Sequence, residues 1–251
     1  MKQFLVLLRK DLLELVRKKI ILIVGVVFVI FALVSPLLAK ITPELLGMLG
    51  ENVQITMPEA TIADSYGQLV KNFSQMCVYA LIIAFAGLIV RERKSGMYNN
   101  LLNNGVRRSN FVLSKITAQF LVVTGIYAVS CLLFCVYNYA LFGEFWVQGS
   151  LLSFLAMYVF LIFVIGFINL FSVVSKSMMM SVILGFLMTI FIALFDLFEF
   201  GKYLPNHLIG ISIMAVSNVE MAGYAWQNMA ITLGLFVIIV FASVKLCSNK
   251  E

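Results

Sequence analysis

The sequence predicts an all-α integral membrane protein with six transmembrane helices, and three observations predict it. Hydrophobic residues make up 62% of the 251 residues and charged residues only 12%, whereas soluble domains carry about 25% charged residues. The mean hydropathy is +1.03. Six apolar runs are long enough, or nearly long enough, to cross a bilayer as helices. The polar segments between them are too short to form a soluble domain, so residues 1–251 are predicted to form a single transmembrane domain.

Residues 1–19 precede the first apolar run and are predicted to form an amphipathic helix in the membrane interface. One helical side carries an apolar stripe of Phe4, Leu5, Leu8, Leu12, Leu15 and Val16, which Leu7 and Leu13 interrupt. The other side carries charged residues, among them Arg9, Lys10, Asp11 and Arg17. A basic amphipathic helix of this kind lies on a membrane rather than crossing it. Two interpretations remain open: the helix only anchors the chain, or it also forms part of a docking surface.

The apolar runs give the boundaries of the predicted spans. These are residues 20–39, 73–90, 116–142, 150–174, 178–198 and 224–245. Segments 40–72 and 200–223 are predicted to lie outside the cell. The second of these is only half apolar and too long for a turn, so a re-entrant or interfacial helical hairpin before the last span fits it best.

The basic residues set the predicted orientation. With both termini in the cytoplasm, 15 of the 18 lysines and arginines but only 4 of the 12 acids fall in cytoplasmic segments. This distribution follows the positive-inside rule. The net charge of +6 is therefore explained by membrane topology, and no nucleic-acid partner is expected.

The sequence has no pattern typical of a catalytic or metal site. It lacks the phosphate-binding loop G-x-x-x-x-G-K-[ST], so ATP is not expected to bind this chain in that way. His207 is the only histidine and has no companion ligand. The cysteines Cys77, Cys131, Cys135 and Cys247 fall in or next to predicted spans, so neither a disulfide nor a metal site is expected. We expect no cofactor and no enzyme chemistry in this chain.

Four polar residues in predicted spans or at their ends are candidates for a transport path. Asp196 and Glu199 are three residues apart and would share a helical face. They either anchor the outer end of the fifth span in water or line a path. Asn138 and Asn169 lie within spans, where hydrogen bonding between helices is the favoured interpretation.

The 91–115 segment is the longest charged interruption between two apolar runs. It carries six lysines and arginines against one acid, Glu92. Gly96 can end the preceding helix, and Met97–Asn103 can form a short cytoplasmic helix that directs Leu101 and Leu102 toward a partner. Gly105 can then turn the chain. The alternative is a solvated basic loop that only sets topology.

This segment resembles the intracellular loop of type-2 ATP-binding-cassette exporter permeases, whose pattern is close to E-R-E-x-G-T-x-E-x-L-L-x-x-P-x-x-R followed by G-K. The matching positions are Glu92, Arg93, Gly96, Leu101, Leu102, Arg108 and Lys115. The sequence departs from the pattern at Lys94, Met97, Asn99, Gly105 and Ser114. The order of elements along the whole chain is also similar to that family.

The resemblance implies a permease subunit of a bacterial exporter in the plasma membrane, with ATP and Mg²⁺ bound by a separate ATPase subunit present in two copies. A second permease subunit, identical or homologous, would complete the path within the lipid bilayer. The ATPase would dock on the N-terminal helix and on Glu92, Arg93, Gly96, Met97, Tyr98, Leu101, Leu102 and Arg108. The apolar interior favours amphipathic or hydrophobic cargo, with peptides ahead of drugs and lipids. A gradient-driven secondary transporter and a non-transporting scaffold or immunity protein are the alternatives.

Overall fold

The computed structural model describes residues 2–49, 60–195, 198–217 and 222–249. These ranges are almost entirely helical and contain no strand. The α-helices within them are α1 (Lys2–Arg17), α2 (Ile20–Leu49), α3 (Ile62–Asn72), α4 (Val78–Phe85), α5 (Leu88–Lys94), α6 (Met97–Asn103), α7 (Arg108–Phe142), α8 (Ser150–Val174), α9 (Met178–Phe195), α10 (His207–Ser217) and α11 (Ala222–Asn249). A π-helical turn, Phe73–Cys77, joins α3 to α4, and a 3₁₀ helix covers Glu199–Tyr203.

Five helical stretches in the described ranges are long and apolar enough to cross a membrane. They are Ile20–Pro43, Ile62–Lys94, Arg108–Phe142, Ser150–Val174 and Tyr224–Ser248. The run predicted as the fifth of six spans forms the shorter apolar helix α9, with an apolar part at Met178–Leu194. The chain is therefore a multi-pass membrane protein with at least five helices of spanning length.

The second of these stretches starts well before the sequence-predicted boundary at residue 73. Helix α3 begins at Ile62 because the side chain of Thr61 accepts a hydrogen bond from the Asp64 backbone N–H, while Asp64 in turn accepts from Thr61. This reciprocal capping satisfies free N–H groups at the start of the helix. Tyr66, Leu69 and Val70 of α3 are buried in the core. Polar residues in α3 dilute its hydropathy, and for this reason the sequence indicated an external loop there.

Helix α8 lies at the centre of the bundle. Two-thirds of its apolar window, 67%, is buried, against 22% for the window in α11. It packs against α11, α10, α9 and α7. Gly149 precedes α8 with a φ of +88°, and a Cβ atom there would lie 1.8 Å from the carbonyl oxygen of Ala215 in α10. Only glycine allows α10 to approach the start of α8 this closely.

The predicted hairpin region contains two short helices. The 3₁₀ helix is followed by α10, whose 11 residues are about 16 Å long at 1.5 Å per residue, too short to cross a bilayer. Buried residues of α10 face α8, where the hydroxyl of Ser212 donates to the carbonyl oxygen of Ser153 at 2.7 Å. The 3₁₀ helix starts one residue before the predicted region 200–223, and α10 lies within that region.

The side of helix α1 that faces the bundle overlaps the predicted apolar stripe only in part. Leu15 of the stripe is buried, but Leu5 is 61% exposed, and Leu7, which breaks the stripe, is buried. The buried positions Leu7, Asp11 and Leu15 are spaced by four residues and share one face. An acid therefore occupies the centre of the buried face, and its partners on other helices explain this orientation.

Candidate functional site

Helices α5 and α6 and the start of α7 form a compact corner at one end of the bundle. Gly96 has a φ of +74° and separates α5 from α6, and Gly105 has a φ of +78° and separates α6 from α7. Glycine adopts this left-handed conformation without steric cost. The short helix predicted at Met97–Asn103 is present with the same bounds.

A buried network of charges joins α1, α5 and α7 at this corner. The Lys115 ammonium lies 2.9 Å from Oε1 of Glu92 and 3.1 Å from Oδ1 of Asp11. Lys10 lies 2.6 Å from the same Glu92 oxygen and 3.1 Å from Asp11. The Ser114 hydroxyl donates to Oδ2 of Asp11 at 2.6 Å. Two cations and two carboxylates thus neutralise one another where three helices meet.

The charges of α1 are stabilised by this arrangement. Burial lowers the pKa of Lys10, but the carboxylates of Asp11 and Glu92 outweigh it and raise that pKa. Burial likewise opposes ionisation of Glu14, but a hydrogen bond from Lys18 and the positive charge of Lys115 lower its pKa. Both side chains are therefore charged near neutral pH.

Two carboxyl groups of this network and the neighbouring Glu14 are close enough together to bind one metal ion. One oxygen each from Asp11, Glu14 and Glu92 lies within 4.8 Å of the others. The lysine ammonium groups already contact Asp11 and Glu92. The cluster has the geometry of an ion-pair network, with cationic side chains in the place that a metal ion would take.

Two arginines of the corner bind the ends of long helices. Arg93 donates to the carbonyl oxygens of Ser172 and Val173 in the last turn of α8, the latter at 2.7 Å. Arg108 donates to the carbonyl oxygen of Ser248 in α11 at 2.7 Å. The last carbonyl groups of a helix have no partner within it and carry partial negative charge, so guanidinium groups stabilise them. The corner is thereby attached to α8 and α11.

Helix α6 packs through Tyr98 and its leucines. Tyr98 is buried, and its ring lies 5.0 Å from the ring of Phe111 between centroids. Its hydroxyl oxygen lies 3.5 Å from the sulfur of Cys247. Leu101 and Leu102 are partly buried against the same apolar cluster. The structure therefore turns both leucines mainly toward the protein, whereas the sequence interpretation directed them toward a partner.

The outer face of α6 consists of Met97 and asparagines. Met97 is 44% exposed, and the exposed asparagines are Asn99, Asn100, Asn103 and Asn104. The two leucines are the more apolar residues of this segment, and for this reason the sequence interpretation did not single out the asparagine face. The spacing of the asparagine pairs, four residues apart, would have indicated one helical face.

The other predicted site residues are dispersed. Arg9 and Arg17 are exposed on α1. Asn138 is buried and accepts a hydrogen bond from the Ser65 hydroxyl at 2.6 Å. Asn169 is buried and exchanges two hydrogen bonds with Gln119, of 3.1 and 2.7 Å. These contacts join α7 to α3 and to α8.

Of the two acids proposed near the outer end of the fifth span, only one falls in a described range. Glu199 begins the 3₁₀ helix, and Asp196 lies outside the described residues. Among the predicted path residues that the structure describes, Asn138 and Asn169 lie in two separate contacts between helices.

The fold and this corner define a multi-pass membrane protein with a short helix presented at one end of its bundle. The family model of the ABC-2 family transporter proteins matches residues 7–192, about three-quarters of the chain. The chain belongs to this family, and is a transmembrane subunit of an ABC transporter whose partner is an ATPase subunit. A comparison with curated proteins found no match.

Proposed function

We propose that this chain is the permease subunit of an ATP-driven exporter, and that α6 transmits movement from the ATPase subunit. The observation that carries the proposal is the attachment of α6 to the bundle at both of its ends. Glu92 and Arg93 precede it and contact α7, α1 and α8, while Arg108 follows it and contacts α11. A movement of α6 would therefore be passed directly to several long helices. Coupling between an ATPase subunit and the transport path requires such a connection.

The proposed orientation places this corner and both termini in the cytoplasm of a bacterial cell, with α1 in the membrane interface. The basic side chains concentrated at the corner support it, because basic segments stay in the cytoplasm. In this orientation α9 is the fifth of six spans, since its 18 residues reach about 27 Å at 1.5 Å per residue. The 3₁₀ helix and α10 then form the interfacial or re-entrant hairpin outside. Cysteines substituted at Arg9 and Gln148, which are both exposed, should react with impermeant maleimide from opposite sides of the membrane.

The proposed assembly contains two such permease subunits, identical or homologous, and two ATPase subunits that bind ATP and Mg²⁺. The exposed face of α6, with Met97 and its asparagines, is available for docking, and Arg9 and Arg17 of α1 extend that surface. The leucines support α6 from behind. Asn138 and Asn169 hold helices together in this proposal, and Asp196 and Glu199 remain candidates for the exit of the path.

The proposed cargo is amphipathic or hydrophobic, with peptides favoured. The support is the apolar interior together with the neutralised charges: the buried carboxylates of Asp11 and Glu92 have lysine partners and lie at one end of the bundle. A path for small ions would need fixed charge or polar groups along its length. A gradient-driven transporter would need an ionisable group at mid-membrane.

Co-purification of the ATPase subunit from native membranes in mild detergent tests this function. Met97→Asp with Asn100→Asp adds two charges to the outer face of α6, and Phe145→Asp with Gln148→Asp adds two at the other end of the bundle. The ATPase subunit and ATP hydrolysis should be recovered with the wild type and the second variant, and lost with the first. Equal recovery with both variants contradicts docking on α6. A chain that purifies alone, without ATPase activity, favours the gradient-driven or scaffold alternatives.

A further inference from the structure

A basic cavity lies beside α6. Its volume is about 530 Å³, and residues of α5, α6, α11 and the turn between α8 and α9 line it. The polar residues that line it are Arg93, Lys94, Tyr98, Asn99, Ser175 and Lys176. None of the described residues that line the cavity is acidic, so the charge of this lining is positive.

The two lysines of the cavity have no acidic partner among the residues that the structure describes. Within the described ranges, no carboxylate oxygen lies within 4.0 Å of the ammonium group of Lys94 or Lys176. The opposite holds for Lys10 and Lys115, each of which contacts two carboxylates. Two unpaired cations beside the Arg93 guanidinium create a site for an anion.

Two buried polar atoms at the cavity also have no hydrogen-bond partner. Ser175 is 1% exposed, and its hydroxyl oxygen is unpaired. The Nε atom of Arg93 is likewise buried and unpaired. Buried donors without a partner cost free energy, and native proteins rarely leave them so. Both residues line the cavity, and a rotation of each side chain would bring these donors to an oxygen-rich anion there.

The position of the cavity indicates where such an anion would come from. Lys176 is followed directly by the start of α9, whose residues Met178, Met179 and Met180 are 39%, 74% and 45% exposed. An exposed run of methionines on a membrane helix faces the lipid chains. The cavity therefore lies where that apolar surface ends and the lipid headgroups begin. Basic pockets at this depth bind the headgroups of anionic lipids.

We propose that the cavity formed by Lys94, Lys176, Ser175 and Arg93 binds the phosphate of an anionic phospholipid from the adjacent leaflet. The lysines neutralise the phosphodiester, the Ser175 hydroxyl donates to it, and the acyl chains lie along the exposed methionines of α9. Because Tyr98 and Asn99 of α6 also line the cavity, the bound lipid links α6 to the end of α8. Lipid composition thereby influences the rigidity of α6.

Native mass spectrometry of the purified full chain tests this proposal by titration with phosphatidylglycerol or, separately, phosphatidylcholine. We expect phosphatidylglycerol to bind more tightly. Lys94→Ser with Lys176→Ser should raise its Kd at least about tenfold, since each lysine near an anionic headgroup contributes about 1 kcal/mol. Ser175→Ala should raise the Kd about fivefold, as expected for one lost hydrogen bond. Lys245→Ser removes an exposed cation from α11 at the same end of the bundle and should leave the Kd unchanged.

Three results would overturn the proposal. One is an equal Kd for phosphatidylglycerol in the wild type and the double lysine variant. Another is equal binding of phosphatidylcholine, which would make the contact one of acyl chains alone. The third is binding of inorganic phosphate at millimolar concentration by a chain that does not bind phosphatidylglycerol, which would make free phosphate the ligand. The lysines are exposed, so their replacement should leave the fold intact, and the assay does not need the ATPase subunit.

Discussion

Lys115 on α7 and Glu92 on α5 are in contact in the interior of the protein, with 2.9 Å between Nζ and Oε1 and 3% and 4% of their side chains exposed. They are the first and last residues of the matched pattern in the 91–115 segment. The segment between them, which includes α6, is thus closed at its base by an ion pair. Asp11 brings α1 to the same point, so both parts of the proposed docking surface share one support.

Removing Lys115 should destabilise the protein strongly. In Lys115→Met, the carboxylates of Asp11 and Glu92 retain Lys10 as their only close ammonium partner, and breaking a buried ion pair from one side costs about 3–5 kcal/mol. Thermal unfolding in detergent can be followed with a thiol-reactive dye in a Cys131→Ser background, because Cys77, Cys135 and Cys247 are buried and react only after unfolding.

A double-mutant cycle separates this ion pair from simple packing loss. Glu92→Gln with Lys115→Met restores the charge balance, so it should lose less stability than the two single variants together, by about 1–3 kcal/mol. Strict additivity of the two effects would mean that the contact carries no coupling energy.

Replacing Arg93 by alanine or by lysine should lower the free energy of unfolding. Arg93→Ala leaves the last carbonyl groups of α8 without their charged donor, at a cost of about 2 kcal/mol. Arg93→Lys should recover only part of this, because the lysine ammonium is more strongly hydrated than a guanidinium group and sits on a more flexible side chain. Hydrogen exchange of residues 170–175 provides the measurement. Arg91→Ala, at an exposed neighbour, is the control and should change stability by less than about 0.5 kcal/mol.

The elements set by local sequence were the predictable ones. Gly96 and Gly105 bound a seven-residue helix because each supplies a left-handed turn, and this requirement is visible without any tertiary contact. The early start of the second span was missed because Tyr66 and its neighbours become buried only through packing against other helices. Hydropathy averages cannot contain that information.

The charged residues of the site were predicted individually but not as a network. Asp11 was assigned to the polar side of an interfacial helix because its local neighbours are basic. Its partner Lys115 is 104 positions away in the sequence. Helical periodicity relates only residues a few positions apart and cannot predict this contact. The same limitation placed Leu101 and Leu102 on an outer face. Only the position of Phe111 and Cys247 in the fold decides which side of α6 is covered.

The pair Gln119–Asn169 should behave as a mutual hydrogen-bonding unit between α7 and α8. Asn169→Leu leaves the amide of Gln119 buried without its partner, at a cost of about 1–2 kcal/mol. The double variant Gln119→Leu with Asn169→Leu removes both amides and should recover part of that loss. Thermal unfolding in detergent measures both variants. If Asn169 instead serves mainly as a contact for cargo, its replacement should impair transport while leaving the unfolding temperature unchanged.

Gly149 should be far less tolerant of substitution than Gly143, although both adopt a positive φ. Alanine at Gly143, with a φ of +76° and no other atom within 4 Å of its new Cβ, should cost only the backbone penalty of about 1 kcal/mol. Alanine at Gly149 adds a clash, because its Cβ would lie 1.8 Å from the carbonyl oxygen of Ala215. Relief of that clash requires α10 to move away from α8, which should break the hydrogen bonds between Ser212 and Ser153. Hydrogen exchange in α10 should therefore accelerate in Gly149→Ala and stay unchanged in Gly143→Ala. Equal protection of α10 in the two variants would show that α10 does not depend on close approach at Gly149.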